Sequence, residues 1–487
     1  MQPIENLKLF EKFNMLFEPF DRVALLTSDH ELLHLKYAAL ADIGTLQQSA
    51  EVCHKYLQIQ DGDIVITNDP YSGGTILSSP TLVLGIGNRA IKGTVPAEFL
   101  VAFRLSLSPR AVPAKTIDEE GLRIPPSPLF LKGEPNNAIV EALRSHPQTH
   151  NELLAAVEKA AIELLNFRQE FKRQMASGEL SISRAQIKNY LADCEALFAG
   201  RIEEFREGSG SVELQMSATE TLKLRLEHHE GHLVFDFAGT SQGTHIFVTD
   251  SALFGAAVGT VLSLFETEAP INSGLFRRFE IKAPRGSLVN AAFPKPLYLG
   301  HTDGLCFIAN AISMCASQID SRLGWASSGS SFCSYQLRFK DQGKDVIYWD
   351  ALPTGAGATA KSKGADGVFV WRRIDFFGSL ETTESRFPIQ HVNVGFRANS
   401  GGTGQHEGGR GVAKTIRLLE PAELAWQFLA PLHKPEGLSG GKSALGPEMI
   451  HQSASGEKKI LPSQGVLQLS KGDELTILSP GGGGYGQ

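Results

Sequence analysis

The 487-residue chain has little cysteine, no concentration of charge of one sign and no long apolar run. Its five cysteines, Cys53, Cys194, Cys306, Cys315 and Cys333, are odd in number and lack CxxC spacing. That argues for reduced thiols and against a disulfide framework or a zinc ribbon. Lysine and arginine total 46 against 53 aspartates and glutamates, a formal net charge of -7. With no basic stretch, neither nucleic acid nor an anionic membrane is an expected partner. No segment approaches the roughly 20 apolar residues of a membrane-spanning helix, the N-terminus lacks a secretory pattern, and no fixed-period repeat suggests a solenoid. With 42% hydrophobic residues, the expectation is a soluble, cytoplasmic protein folded throughout.

What is plentiful is glycine: 49 of 487 residues, about a tenth against roughly 7% in average proteins. Such a surplus suggests many unusual backbone conformations. Much of it falls in Tyr71–Thr75, Ser400–Gly411, Gly437–Gly446 and Pro480–Gly486.

The first 140 residues read mainly as short strands joined by turns, with apolar runs at Arg22–Thr27, Ile64–Thr67 and Thr81–Ile86 bounded by turn formers. Pro125, Pro126 and Pro128 close this region, because consecutive prolines suit neither a helix nor a central strand. From Pro147 to about Met175 the apolar residues recur at helical spacing. A second helix is expected from Ser183, where Gln186 completes a capping box. The pair predicts a helical hairpin. Strands and turns dominate the remainder, with a β-hairpin over Leu222–Phe237 and one helix around Phe307–Gln318. The fold class expected is α+β, a β-rich mixed architecture with an inserted helical hairpin, divided into 1–140, 141–210, 211–390 and a glycine-rich β region at 391–487.

Several motifs invite chemistry. His228-His229-Glu230-Gly231-His232 lies at a hairpin tip, where its histidines point several ways and lack the helical HExxH register of a zinc site. His146 and His150 are four apart with no third ligand in register. Gly437-Leu438-Ser439-Gly440-Gly441 satisfies GxSxG, and Gly440-Gly441-Lys442-Ser443 resembles the end of a phosphate loop. Both chemistries need a following helix, and Ala444-Leu445-Gly446-Pro447 does not start one. Asn68-Asp69-Pro70-Tyr71-Ser72-Gly73-Gly74-Thr75 is more informative: a strand runs into a capped turn whose glycines permit close backbone approach. A tight turn without chemistry has the same composition.

Taken in order, the motifs resemble the hydantoinase B/oxoprolinase family, which includes B subunits of ATP-dependent hydantoinases, the matching half of 5-oxoprolinase, and carboxylase subunits. The segment from Gly62-Asp63 to Thr75 is similar to a GD-strand-NDPY-x-GGTH pattern, and Glu120-Gly121-Leu122-Arg123-Ile124-Pro125-Pro126 to EG-[LIV]-RIPP. Asp236–Ser241, Ala283–Asn290, Ser400–Gly411, Leu461–Ser463 and Pro480–Gly486 follow in family order.

The resemblance implies a hydantoinase A-type partner that carries the ATP site, a hetero-oligomer, and a small cyclic amide as substrate. It points to Asp69 and Glu120 as candidate bases towards water and to Arg123 as a stabiliser of an oxyanionic or phosphorylated species. Asn68, Gly73, Gly74 and Thr75 become candidate substrate-binding residues. It also implies a divalent metal, for which Asp21 and Asp42 stand at matching positions. Ile76 and the segment Arg104–Pro109 replace other ligand positions, and Ile76, Leu107 and Pro109 have no donor atoms to offer. The metal centre is therefore expected to be absent or rebuilt. Two alternatives accompany the hydrolase reading: a catalytically degenerate scaffold that keeps the partner interface, and a carboxylase subunit.

Overall fold

The three apolar runs form strands Val23–Thr27, Ile64–Thr67 and Thr81–Ile86 of one seven-stranded antiparallel sheet. The computed structural model describes residues 7–91, 94–107, 113–149, 151–267, 269–341, 343–371, 379–430 and 434–487. The sheet is buried on both faces, which is why its strands read as continuous apolar runs and not as alternation. Ala24 and Leu26 pack into one hydrophobic cluster, with Leu46, Ala50 and Ala256. Val23 and Leu25 face a second, with Phe13, Phe171 and Tyr190. At about 1.5–3 kcal/mol per fully buried large apolar side chain, this two-sided burial sets the position of every loop at the sheet's ends.

Four strands of this sheet were not legible, the short Leu32–Lys36 and Glu134–Pro135 and two longer-range members. Phe99–Arg104 lies between Val23–Thr27 and Thr81–Ile86, and Ser127–Leu131 runs through the proline cluster. The second is tolerated because it lies next to the sheet's end, with only the two-residue strand Glu134–Pro135 on its outer side, and its register shifts where Val65 meets Pro128. The helix Leu40–Leu57 was also unread within a segment expected to be mostly strands. It crosses the helix Asp250–Leu264 at Gly44 and Gly255, where an added Cβ would overlap the facing backbone carbonyls of Ser251 and Leu40.

The helical hairpin is present as Asn151–Ser177 and Arg184–Ile202. Ser183 Oγ accepts from Gln186 N at 3.2 Å and Gln186 Oε1 accepts from Ser183 N at 2.9 Å, a reciprocal capping box. The expected β-hairpin pairs Thr221–His229 with His232–Asp236 in a four-stranded sheet. The expected helix spans Leu305–Ile319. A second four-stranded sheet and a five-stranded one, built from residues 335–478, share a core that includes Leu337, Ile416, Trp426 and Leu475. The architecture is α+β, with four mostly antiparallel sheets among the described residues.

The glycine-rich segments correct the reason first inferred for them. No glycine of Ser400–Gly411 has positive φ, and only Gly440 and Gly486 do so in the two later segments. These glycines are instead extended chains packed backbone to backbone. Gly402 N donates to Gly482 O at 2.9 Å, Gly482 N to Gly409 O at 2.9 Å and Gly409 N to Ala356 O at 2.8 Å. A Cβ on Gly408 would overlap the carbonyl of Gly482, and one on Gly482 that of Ala356. Space between strands, not handedness, requires glycine there. Ala444–Pro447 carries no helix, so neither a nucleophile elbow nor a phosphate loop is formed.

Candidate active site

The two N-terminal motifs, some fifty residues apart in the chain, meet through Asn68. Its Nδ2 donates to Leu77 O at 2.7 Å and Leu122 O at 2.8 Å, while its Oδ1 accepts from Ile124 N at 2.6 Å. The side chain is thus fully engaged with backbone, and it fastens the Glu120–Arg123 segment to the Asp69 turn. Asp69 caps that turn, accepting from Tyr71 N at 3.1 Å and Ser72 Oγ at 3.2 Å. Arg123 Nη1 lies 3.5 Å from Asp69 and its Nε 3.6 Å from Asp118, and its guanidinium stacks 4.6 Å from the Phe293 ring. Gly73 has φ 93°, and a Cβ on it would overlap the backbone of Ser49. On Gly74 a Cβ would press against Asn68 O. Thr75 is buried, and its Oγ1 has no hydrogen-bond partner among the described residues.

Glu120 ends the short 3-10 turn Ile117–Glu119. Its Oε1 accepts from Leu297 N and Tyr298 N, both at 2.8 Å, at the start of the helix over 298–319. A tertiary helix cap accounts for that oxygen. It does not account for Oε2, which is buried with no hydrogen-bond partner among the described residues. Burial pushes the carboxyl up to about 7, against the opposing pull of the Tyr298 and Leu297 amides. Glu120 lines a cleft with about 670 Å³ of empty space, part of it open to solvent, bordered also by Ile76, Leu77, Leu122, Glu152 and Tyr298.

Just beyond, Gly300–Gly304 forms a π-helical turn, buried throughout. A Cβ on Gly300 would overlap Phe247 O. His301 Nε2 accepts from Thr249 N at 3.3 Å and lies 3.2 Å from Thr249 Oγ1. Burial, then the charge of Arg104, lowers the ring to about 3 and holds it neutral. Asp303 accepts from Leu429 N at 2.9 Å and Ser331 Oγ at 3.2 Å, tying the turn to the C-terminal half. The glycines bracketing this turn amid apolar residues were the one available signal.

Asp42 has a different environment. Its carboxylate accepts from Arg22 Nε at 2.9 Å and Nη2 at 2.7 Å, from Arg104 Nη1 at 3.0 Å, and from the amides of Ala38 and Ala39. Burial alone would raise the carboxyl; the two arginines prevail and hold it far below the usual range. This donor set does not fit a divalent cation, since the carboxylate is already saturated by two guanidiniums whose charge repels one. Asp21 is exposed. No cluster of three or more His, Cys, Asp or Glu able to hold a metal occurs among the described residues. Ile76 and Leu107, the apolar residues at expected ligand positions, both line the Glu120 cleft. Ser108 and Pro109 lie outside the described residues, as does His150.

The HHEGH histidines diverge, though not all into water. His228 is buried and its Nδ1 meets Arg206 O at 2.8 Å, whereas His229 is exposed beside Glu207. The buried side chain belongs to the inward row of the strand, an alternation the hairpin-tip reading overlooked.

The fold is that of two solved structures. The ATP-dependent caprolactamase from Pseudomonas jessenii superposes with a TM-score of 0.85 at 18% identity, over 100% of this chain and 91% of that one. A nucleotide-free acetone carboxylase gives 0.82 at 14% identity, over 100% and 76%. The hydantoinase B/oxoprolinase family model matches residues 21–487, and the chain belongs to that family. Among relatives, the caprolactamase subunit beta of P. jessenii is 25% identical over 88% of this chain and 78% of its own length. 5-Oxoprolinase 1 of Arabidopsis thaliana is also 25% identical over 88% of this chain, which spans only 36% of that protein. No described helix is long and apolar enough to cross a membrane.

Proposed function

We propose that this chain is the B-type subunit of an ATP-dependent cyclic-amide hydrolase and that Glu120 handles the proton of the attacking water. The carrying observation is the buried Oε2 of Glu120, without a hydrogen-bond partner among the described residues, at a cleft where the family's two N-terminal motifs converge. A carboxyl pushed up to about 7 is poised for general acid–base work near neutral pH. In this scheme ATP binds an A-type partner, where the amide oxygen is phosphorylated. Glu120 accepts a proton from water as the water oxygen bonds to the activated carbon. The ring C–N bond then breaks, its nitrogen taking up a proton, which leaves an acyl phosphate; a second water adds to that carbonyl and phosphate departs, giving the ring-opened carboxylate. Arg123 is held by Asp69 and Asp118 beside the turn and is not among the residues that line the Glu120 cleft, so no step is assigned to it. No step is assigned to a metal.

The competing reading is a non-catalytic scaffold, favoured by the engagement of Asn68, Asp69 and Asp42 in structural contacts. ATP-dependent ring opening by the complex of this chain with its A-type partner decides between them. Glu120→Gln is expected to lower kcat by roughly 10²–10⁴-fold. Unchanged turnover in that variant would remove Glu120 from the chemistry, and absence of turnover on every cyclic amide would favour the scaffold. Carboxylation of a ketone by the same complex would identify a carboxylase subunit instead.

A further inference from the structure

We infer that the Glu120 cleft takes cyclic amides whose rings are uncharged and excludes rings that bear a carboxylate, an inference that rests on the hydrolase reading. Ile76, Leu77, Leu107, Leu122 and Leu153 form an apolar part of the wall, Asn68, Ser78, Gln148 and Tyr298 add uncharged polar groups, and the two charged residues among the described lining, Glu120 and Glu152, are both acidic. Among the described residues no lysine, arginine or histidine lines it.

Two described cations on neighbouring elements are engaged by other groups. Arg123 lies against Asp69, Asp118 and the Phe293 ring. Arg104 is buried and bonded to Asp42, Thr45, Thr81 and Gly73 O. Asn68 borders the cleft, yet both its Nδ2 protons go to backbone carbonyls. A ring carboxylate entering here would lose its water, meet no counter-charge among the described lining residues and lie near two acidic side chains. Each of these opposes binding. An added anion would also push the Glu120 carboxyl further up and keep it protonated, disabling it as a base. A neutral lactam meets none of these costs, and its methylenes match the leucine and isoleucine walls.

The test uses the full chain in complex with its A-type partner and lactams of five to seven ring atoms, each with and without a ring carboxylate. 2-Pyrrolidinone against 5-oxoproline is the smallest such pair. The expected result is a kcat/KM ratio of about 10² or more in favour of the neutral ring, the scale on which a site lacking a needed polar partner discriminates. Glu152→Lys, at an exposed position, places a cation at the cleft and should shift the ratio towards the carboxylate by about fivefold, the scale of an exposed ion pair. Equal turnover of both rings, or preference for the carboxylate-bearing one, overturns the inference and leaves the hydrolase reading intact. Turnover of neither class would instead fell the hydrolase reading.

Discussion

Glu120 and Asp42 are carboxylates withdrawn from water on elements that flank the same seven-stranded sheet, and their surroundings drive them in opposite directions. Asp42 has two guanidiniums and two backbone amides for partners. Glu120 has two amides on one oxygen and, among the described residues, no hydrogen bond on the other. Desolvation acts on both; counter-charge reaches only Asp42. The difference teaches that burial of an acid is not itself a mark of chemistry. What matters is whether its charge has been neutralised, and at Glu120 it has not.

The largest expected effect is on turnover. If Glu120 is the reactive member of the pair, Glu120→Gln lowers kcat by about 10²–10⁴-fold, whereas the stability lost by an Asp42 variant is not accompanied by a change in the pH profile of kcat. Second in size, Arg104→Met strips a partner from a buried charge and should cost about 3–5 kcal/mol in denaturant unfolding. Adding Asp42→Asn removes that stranded charge. The double variant should be more stable than the sum of the single losses, with a coupling of about 0.5–3 kcal/mol. Strict additivity would mean that the two side chains do not act as a pair.

The smallest effect concerns pH and stability. The Glu120 carboxyl is raised from 4.5 to about 7, so the folded state holds its proton more tightly than the unfolded chain. Its favourable contribution is fully present below about pH 4.5 and is lost as pH rises through about 7. Glu120→Gln, permanently neutral, should therefore gain thermal midpoint relative to the parent as pH increases from 5 to 8. A gap in midpoint that stays flat across that range would place the carboxyl in water and erase the contrast with Asp42. Chelation with EDTA should leave the parent's midpoint unchanged. A stoichiometric divalent ion lost on Asp42→Asn or Asp21→Ala would break the comparison from the other side.

The capping box at Ser183 and Gln186 was readable because it is local: four adjacent residues satisfy one another's backbone groups. The strands Ile64–Thr67 and Thr81–Ile86 were readable because burial on both faces leaves an unbroken apolar run. Phe99–Arg104 has a similar apolar run and went unread, lacking clear turn signals on both sides, and Asp250–Leu264 is apolar all round, with no amphipathic stripe. At the candidate site the residue types at Asn68, Asp69, Glu120 and Arg123 were evident, but their division of labour was not. Asn68 became a fastener and Asp69 a turn cap only when Leu122, Ile124 and Arg123 arrived from a distant loop.

By itself the sequence determined the family motifs, their order, the helical hairpin and the positions where glycine is obligatory, because each of these is written in neighbouring residues. Only the tertiary structure decided why those glycines are needed and which acid is left uncompensated. Backbone-to-backbone packing at Gly408 and Gly482 joins chains some seventy residues apart. The contrast between Asp42 and Glu120 depends on which distant donors reach each carboxylate. Dielectric surroundings and counter-charges are properties of the folded neighbourhood, and no local pattern encodes them.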